Sequence, residues 1–232
     1  IRLGQPVPDD LLYVNNFKKP EEPLFLSLPA GKGRLLSDGL DRLINMLKTN
    51  IPELLKSQFF QEKKQSITDS QQRKQREILQ KFNDLVPAED FAVIQVQMGL
   101  FTRPDLIPVI DGQPTPFNKL EALAKEDKFP KKKLEELKKK YSQLTDQLEK
   151  VISQLKAIDD ETQLLLKNQE IEACSPLIKG GLNDLRGGLL FPAVQSYLDE
   201  IEKYLLEDLD LLKKKKTGEE SQSEDFDPFL AY

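Results

Sequence analysis

Lys131-Lys132-Lys133-Leu134-Glu135-Glu136-Leu137-Lys138-Lys139-Lys140-Tyr141-Ser142-Gln143-Leu144-Thr145-Asp146-Gln147-Leu148-Glu149-Lys150-Val151 opens the stretch that decides the fold. Apolar or aromatic side chains recur at Leu134, Leu137, Tyr141, Leu144, Leu148, Val151, Leu155 and Ile158, and the pattern continues through Thr162 to Leu165. The steps alternate strictly between three and four, which is the heptad seam of a left-handed coiled coil. About 40 residues at 1.5 Å each predict a helix of roughly 60 Å, which must pair along its length to bury its stripe.

A partner is found upstream. Ile51, Leu54, Leu55 and Phe59, then Ile78, Phe82 and Leu85, bracket a stretch from Gln61 to Arg76 that is polar apart from Ile67. A helix so polar in its middle is expected to be solvated there and to touch its partner along a thin seam. We therefore expect residues 51–85 to run antiparallel to the heptad helix as an arm. Between the two, Phe91 to Met98 alternates in part, and Leu106-Ile107-Pro108-Val109-Ile110 ends at Asp111-Gly112. These read as two β runs joined through Phe101-Thr102-Arg103-Pro104-Asp105, with Pro108 confining the second to an edge, followed by a short helix near Lys119–Ala124.

Outside the arm, Leu11-Leu12-Tyr13-Val14 and Phe25-Leu26-Ser27-Leu28 read as two short strands, or as one strand with an ordered loop. Leu36, Leu40, Leu43, Ile44 and Leu47 share one helical face, with Ser37 as expected N-cap and a break at Thr49-Asn50-Ile51-Pro52. After Cys174-Ser175-Pro176 the pattern restarts as helix, with Gly180-Gly181 and Gly187-Gly188 as flexible points. A last helix carries Phe191, Val194, Tyr197, Leu198, Ile201, Tyr204, Leu205, Leu209 and Leu212. Lys213 to Asp225 is polar and reads as a mobile linker. The expected division is 1–35 extended segment and loop, 36–86 helices forming the first half of the arm, 87–129 a small head, 130–173 the coiled-coil helix, 174–212 C-terminal helices, and 213–232 linker. The fold class is mainly α with a small β component.

Composition narrows the chemistry. The 232 residues carry 34 Lys and Arg against 39 Asp and Glu, a net charge of −5, with no His, no Trp and one Cys. Zinc sites ligated by His, Ser-His-Asp triads, Cys-His pairs and disulfide frameworks all need residues that this chain lacks. The mild acidity argues against nucleic acid as a general partner. No apolar run reaches the roughly 18 residues of a membrane span, and Ile1-Arg2-Leu3-Gly4-Gln5-Pro6 does not read as a signal peptide, so a soluble cytoplasmic protein is expected. The apolar end Phe226-Asp227-Pro228-Phe229-Leu230-Ala231-Tyr232 suggests a piece of a longer chain.

Several short motifs have plain explanations. Gly31-Lys32-Gly33 lacks the earlier Gly and the following Ser or Thr of a phosphate loop, since Leu26 and Gly33 hold those positions. The clusters Lys131–Lys133, Lys138–Lys140 and Lys213–Lys216 have acids beside them and read as a solvated, balanced surface. Cys174 reads as a small buried hydrophobe. Asp159, Asp160 and Glu161 occupy successive helix positions and point apart. No catalytic residue, cofactor site or metal site is assigned.

The segment Pro8-Asp9-Asp10-Leu11-Leu12-Tyr13-Val14-Asn15-Asn16-Phe17, with Pro20, Pro23 and Leu28-Pro29-Ala30-Gly31-Lys32-Gly33, resembles the stretch after the Walker A helix in a bacterial branch of Lon-like ATP-dependent proteases, the LonB/LonC grouping. The likeness continues through Ile51-Pro52, the Leu106 to Gly112 run, the heptad helix and the Tyr197-Leu198 helix. It implies a parent that joins an AAA+ ATPase, using ATP and Mg, to a protease with a Ser-Lys dyad in a hexameric ring that degrades protein substrates. This chain would be the helical insertion of the ATPase module, containing neither the Walker motifs nor the dyad. In such rings an aromatic-hydrophobic loop followed by a Gly-containing turn and a helix grips substrate in the axial pore. Phe25-Leu26-Ser27-Leu28-Pro29-Ala30-Gly31 before the Leu36 helix resembles that order, with Phe25, Leu26 and Leu28 as the gripping residues, and a plain strand-to-helix connection fits equally. The arm would capture substrate or gate entry, with a spacer in ring assembly as the alternative. A non-enzymatic coiled-coil adaptor or chaperone is the reading from another class.

Overall fold

The computed structural model describes residues 7–98 and 101–213. In chain order these form β1 (Asp10–Val14), β2 (Leu24–Leu28), α1 (Lys32–Lys56), α2 (Gln58–Ala88), β3 (Phe91–Met98), β4 (Phe101–Ile110), β5 (Gln113–Pro114), α3 (Phe117–Lys125), α4 (Lys131–Gly188), α5 (Pro192–Glu207) and α6 (Asp210–Lys213). The fold is mainly α with two small antiparallel sheets, as the periodicities predict. No described helix is long and apolar enough to cross a membrane. The chain divides into two compact units, with boundaries between Lys64 and Gln65 and between Leu166 and Lys167.

The unit formed by residues up to 64 and from 167 has its own core. Leu36, Leu43, Ile44, Leu47 and Ile51 of α1 meet Cys174, Ile178 and Leu182 of α4 and Val194, Leu198, Ile201 and Leu205 of α5, with Leu26 and Leu28 of β2 beneath them. The α1 face is the one its spacing predicts, but its ends differ from expectation. Ser37 lies inside the helix, which starts at Lys32 behind Gly31. The Thr49 to Pro52 break is also absent, because α1 continues through Pro52 to Lys56. Proline inside a helix forfeits one backbone bond at about 3 kcal/mol. Here Leu47, Ile51 and Pro52 are all buried, and their burial offsets that loss. The real break is Ser57, which has extended backbone (φ −58°, ψ 145°), donates its N–H to the Leu54 carbonyl at 3.1 Å and accepts from Phe60 N through Oγ at 3.4 Å.

The restart expected after Pro176 is absent as well. α4 is one helix of 58 residues, and Pro176, Gly180, Gly181, Gly187 and Gly188 all lie within it. Cys174, Ile178 and Leu182 repeat at four-residue spacing and are fully buried, which holds this part helical whatever the local propensity. The glycines set a close helix crossing: a Cβ on Gly181 would lie 2.3 Å from Leu43 Cδ1, and one on Gly39 would lie 2.3 Å from Leu185 Cδ2. Past Gly188, Gln195 Nε2 donates to the carbonyls of Arg186 (3.2 Å) and Leu189 (2.8 Å), closing the turn into α5. Arg186 reaches Asp199 at 2.6 Å and Glu202 at 2.9 Å across the same turn. Lys213 pairs with Glu170 at 2.5 Å and Asp210 at 3.0 Å; the rest of the expected linker, from residue 214 onward, lies outside the described residues.

Residues 65–166 form the other unit. β3 and β4 pair antiparallel from Phe91↔Pro108 to Met98↔Phe101, so residues 101–105 are strand rather than the expected connection. β4 is the central strand, with β5 on its far side at Val109↔Pro114 and Ile110↔Gln113, which corrects the edge placement drawn from Pro108. Val109 N donates to the Asp90 carbonyl at 2.7 Å, so antiparallel alternation turns the donorless Pro108 nitrogen toward the β5 side, where pairing is two residues long. Proline there costs one bond to a minimal strand, and the Pro108 carbonyl still accepts from Thr115 N at 2.8 Å.

Phe91, Phe117 and Tyr141 form the centre of this unit, with ring centroids 5.2–6.5 Å apart. Around them are buried Phe82 and Val86 of α2, Leu106 of β4, Leu120 and Ala124 of α3, and Leu134, Leu137, Leu144 and Leu148 of α4. Tyr141 donates its hydroxyl to Asp105 Oδ1 at 3.0 Å, tying the sheet to α4. The ion pairs Lys140–Glu89 (2.8 Å) and Lys74–Glu161 (3.5 Å) run in opposite chain directions, so α2 and α4 are antiparallel. The α2 stretch is solvated as its composition predicts, with Ile67, Gln71, Gln75 and Ile78 turned inward. The lysine clusters are charge-balanced where described: Lys131 lies 3.9 Å from Asp127 and Lys138 2.9 Å from Glu121.

Two buried acids of the α4–α5 core give the fold a pH limit. Burial pushes the Cys174 thiol up from 9.0 to about 11, and burial pushes the Tyr197 hydroxyl up from 10.0 to about 12. The folded state thus favours both neutral forms. Their contribution is complete below pH 9 and is lost as pH rises through the folded values. Each shift of two units corresponds to about 3 kcal/mol. Equilibrium unfolding in urea should show stability constant from pH 7 to 8.5 and falling steeply between pH 9 and 12, with Cys174→Ala flattening the lower part of that slope.

Candidate functional site

The first hairpin is built from a polar turn and two alternating strands. Asn16 Oδ1 accepts from Lys18 N and Lys19 N, both at 3.1 Å, and Asn16 Nδ2 donates to the Glu22 carbonyl at 2.9 Å. This side chain folds the connection into a stapled loop. Its neighbours point the other way: Asn15 is buried, and Phe17 lies 6.0 Å from the Tyr197 ring and 4.5 Å from the Tyr204 ring of α5. The Tyr13-Val14-Asn15-Asn16-Phe17 run is thereby explained as strand, buried plug, turn and anchor.

β1 and β2 pair from Asp10↔Leu28 through Tyr13↔Phe25 to Val14↔Leu24. Period-two alternation sends Leu12, Val14, Leu24, Leu26 and Leu28 to the core side and Leu11, Tyr13, Phe25 and Ser27 to the outside. Leu11 is 64% exposed, Tyr13 59% and Phe25 53%, with the two rings 5.6 Å apart. Ser27 donates to Asp9 Oδ2 at 3.3 Å and gives the strip a polar end. Three large apolar side chains thus share one exposed sheet face, the kind of patch that marks contact with another molecule.

Of the three residues the sequence singled out, Phe25 alone lies on this face. Leu26 and Leu28 are buried in the core, and the segment is a paired strand rather than a loop. Leu11 and Tyr13 share the outer face with Phe25. The missed signal was the alternation of β1, which fixes the outward residues once the pairing register is known.

Behind β2, Lys32 N donates to the Pro29 carbonyl at 2.9 Å and Gly31 adopts φ 83°, a left-handed conformation suited to glycine, before α1 begins. Gly33 N donates to Asp10 Oδ2 at 2.8 Å, so a β1 carboxylate caps α1. A Cβ on Gly33 would lie 2.9 Å from both Asp10 Cβ and Leu12 Cδ1, which accounts for the second glycine of Gly31-Lys32-Gly33 by packing. The donor that a nucleotide phosphate would use is already satisfied by an anion of the chain itself. These residues do not fit ATP, and no group of three His, Cys, Asp or Glu able to hold a metal exists among the described residues.

Residues 10–43 match the family model of the Lon-like LonC helical domain. No curated protein matches the chain. The matched residues are the hairpin, the Asp10-capped turn and the first half of α1, and they support a Lon-like, protease-related region there.

Proposed function

We propose that this chain is the helical insertion of the ATPase module in a Lon-like ATP-dependent serine protease and that it handles protein substrates within a ring, taken as hexameric. The observation that carries this reading is the coincidence of the Lon-like match at residues 10–43 with the exposed Leu11, Tyr13 and Phe25 strip. An apolar strip holds unfolded polypeptide with little sequence preference, because burial of apolar area is non-directional. On this reading the chain contributes binding and positioning, while the parent's Walker motifs and Ser-Lys dyad supply ATP hydrolysis and peptide cleavage.

The antiparallel α2–α4 pair and its β3–β4–β5 head serve substrate capture or gating. Their shared apolar centre makes the head a rigid end piece of that pair. Removing residues 87–129 from the ATP-dependent parent and closing the gap with a short Gly-Ser linker should abolish degradation of folded proteins and leave cleavage of small peptides within twofold. Equal loss of both activities would assign these residues to ring assembly instead.

A further inference from the structure

β3 runs for eight residues, Phe91-Ala92-Val93-Ile94-Gln95-Val96-Gln97-Met98, without a charge, a proline or a bulge, and it pairs with β4 on one side only. An open strand edge templates the addition of another chain, and proteins blunt such edges with charges, prolines and bulges. The far edge of β4 is blunted in that manner. Val109 N donates to the Asp90 carbonyl, so the bonded pairs of the β3–β4 ladder are Ala92↔Ile107, Ile94↔Asp105 and Val96↔Arg103, and Pro104, Leu106 and Pro108 turn their nitrogens away from β3. Two of these three have no N–H, and Leu106 N donates to Asp105 Oδ1 at 2.8 Å. The same alternation turns the N–H and C=O of Val93 and Gln95 outward on the open side of β3, where no described strand lies.

The side chains along this edge set what can be added to it. Ala92, Ile94 and Val96, with Ile107 and Val109 of β4, share the face turned away from Phe91 and Leu106. All five are half-buried, and none belongs to the aromatic-centred core. Val93, Gln95 and Gln97 are exposed on the opposite face. An incoming strand would set apolar side chains beside Ile94 and polar ones beside Gln95, while its backbone closes on Val93 and Gln95.

We propose that the open edge of β3 captures protein substrate by strand addition: an extended segment with alternating apolar and polar residues joins β3 as a further strand of the sheet. Main-chain bonds supply the hold and read no particular sequence, and an edge without charge favours neither acidic nor basic segments. The proposal rests on the substrate-handling reading above and gives residues 65–166 a capture site of their own.

Amide hydrogen exchange followed by NMR on the full chain tests this, with the acetylated and amidated peptide Lys-Thr-Val-Thr-Ile-Thr-Val-Thr-Lys as probe. Without peptide, the β4 ladder should protect the Ile94 and Val96 amides, while those of Val93 and Gln95 exchange freely; with peptide, the latter two should slow by about tenfold or more. N-methylation of alternate peptide residues removes the donors along one edge of the added strand and leaves the other edge intact. In antiparallel addition, methylating the Thr residues should abolish the slowing and methylating the Val and Ile residues should preserve it. The reverse result marks parallel addition to the same edge and supports the proposal equally. Unchanged exchange at Val93 and Gln95 with peptide present overturns it, as do equal effects of the two methylated peptides. Slowing that follows the concentration of the chain itself, without peptide, assigns the edge to a second copy and also overturns it. The readout needs neither ATP nor cleavage, so its failure is distinct from failure of the degradation measurements on the parent.

Discussion

Replacing Phe91 by Ala is expected to lower the stability of residues 65–166 by about 3–5 kcal/mol, the cost of emptying a buried aromatic site. Phe91 is 1% exposed and packs against the rings of Phe117 and Tyr141. It therefore joins the sheet to α3 and α4 within the shared core of this unit. The gap would be lined by the Phe117 and Tyr141 rings, on helices whose backbones cannot collapse into it without losing their own core contacts. Hydrogen exchange should show protection lost together in residues 91–98, 117–125 and 134–148, while residues 36–51 and 194–205 keep theirs. Uniform loss over all these segments would mean that the aromatic centre does not organise this unit by itself.

The second large effect is expected at Gly181. Gly181→Val places a branched side chain where even a single Cβ would approach Leu43 Cδ1 to 2.3 Å and Met46 Cε to 3.1 Å. Leu43 is buried, so it has no free space to rotate into and α1 must move off α4. Overpacking of this kind costs about 3 kcal/mol. Gly180→Val is the matched control, since a Cβ there meets nothing within 4 Å and only the helix propensity changes. Urea denaturation of the two variants should separate them by at least 2 kcal/mol; similar midpoints would show that α1 yields easily at this crossing.

Much of the fold could be read from periodicity. The α1 face, the face of the last helix up to Leu205, the two strand pairs and the heptad helix follow from apolar spacing, but α5 ends at Glu207, so Leu209 and Leu212, expected on the same helix, lie beyond it, and β4 takes in residues 101–105, expected as a connection. The errors at helix breaks share one cause. Pro52, Pro176, Gly180 and Gly181 were treated as local breakers, whereas each lies within a helix whose flanking side chains are buried, so tertiary packing overrode propensity. Pro108 misled in the same manner, because its donorless nitrogen faces a two-residue strand, not a full one. At the candidate site the sequence identified Phe25 but not its companions. Which residues share its face depends on the β1–β2 register, and a strand of five residues does not reveal its pairing partner from composition alone.

The Asp10 cap on Gly33 likewise could not be read locally, since the two residues are 23 positions apart. It ties β1 to the first turn of α1 and so holds the outer strip on a packed support.

The most direct measurement compares two activities of the proposed Lon-like parent carrying Phe25→Ala: degradation of a stably folded protein and cleavage of a short fluorogenic peptide. The Phe25 ring is 53% exposed, and its removal costs the fold only the cross-strand contact with Tyr13, about 0.5–1 kcal/mol. Burial of such a ring against substrate is worth about 1.5–3 kcal/mol, so protein degradation should fall tenfold or more while peptide cleavage stays within twofold. Unchanged degradation of the folded protein, with peptide cleavage also unchanged, would contradict a substrate-gripping role for this face.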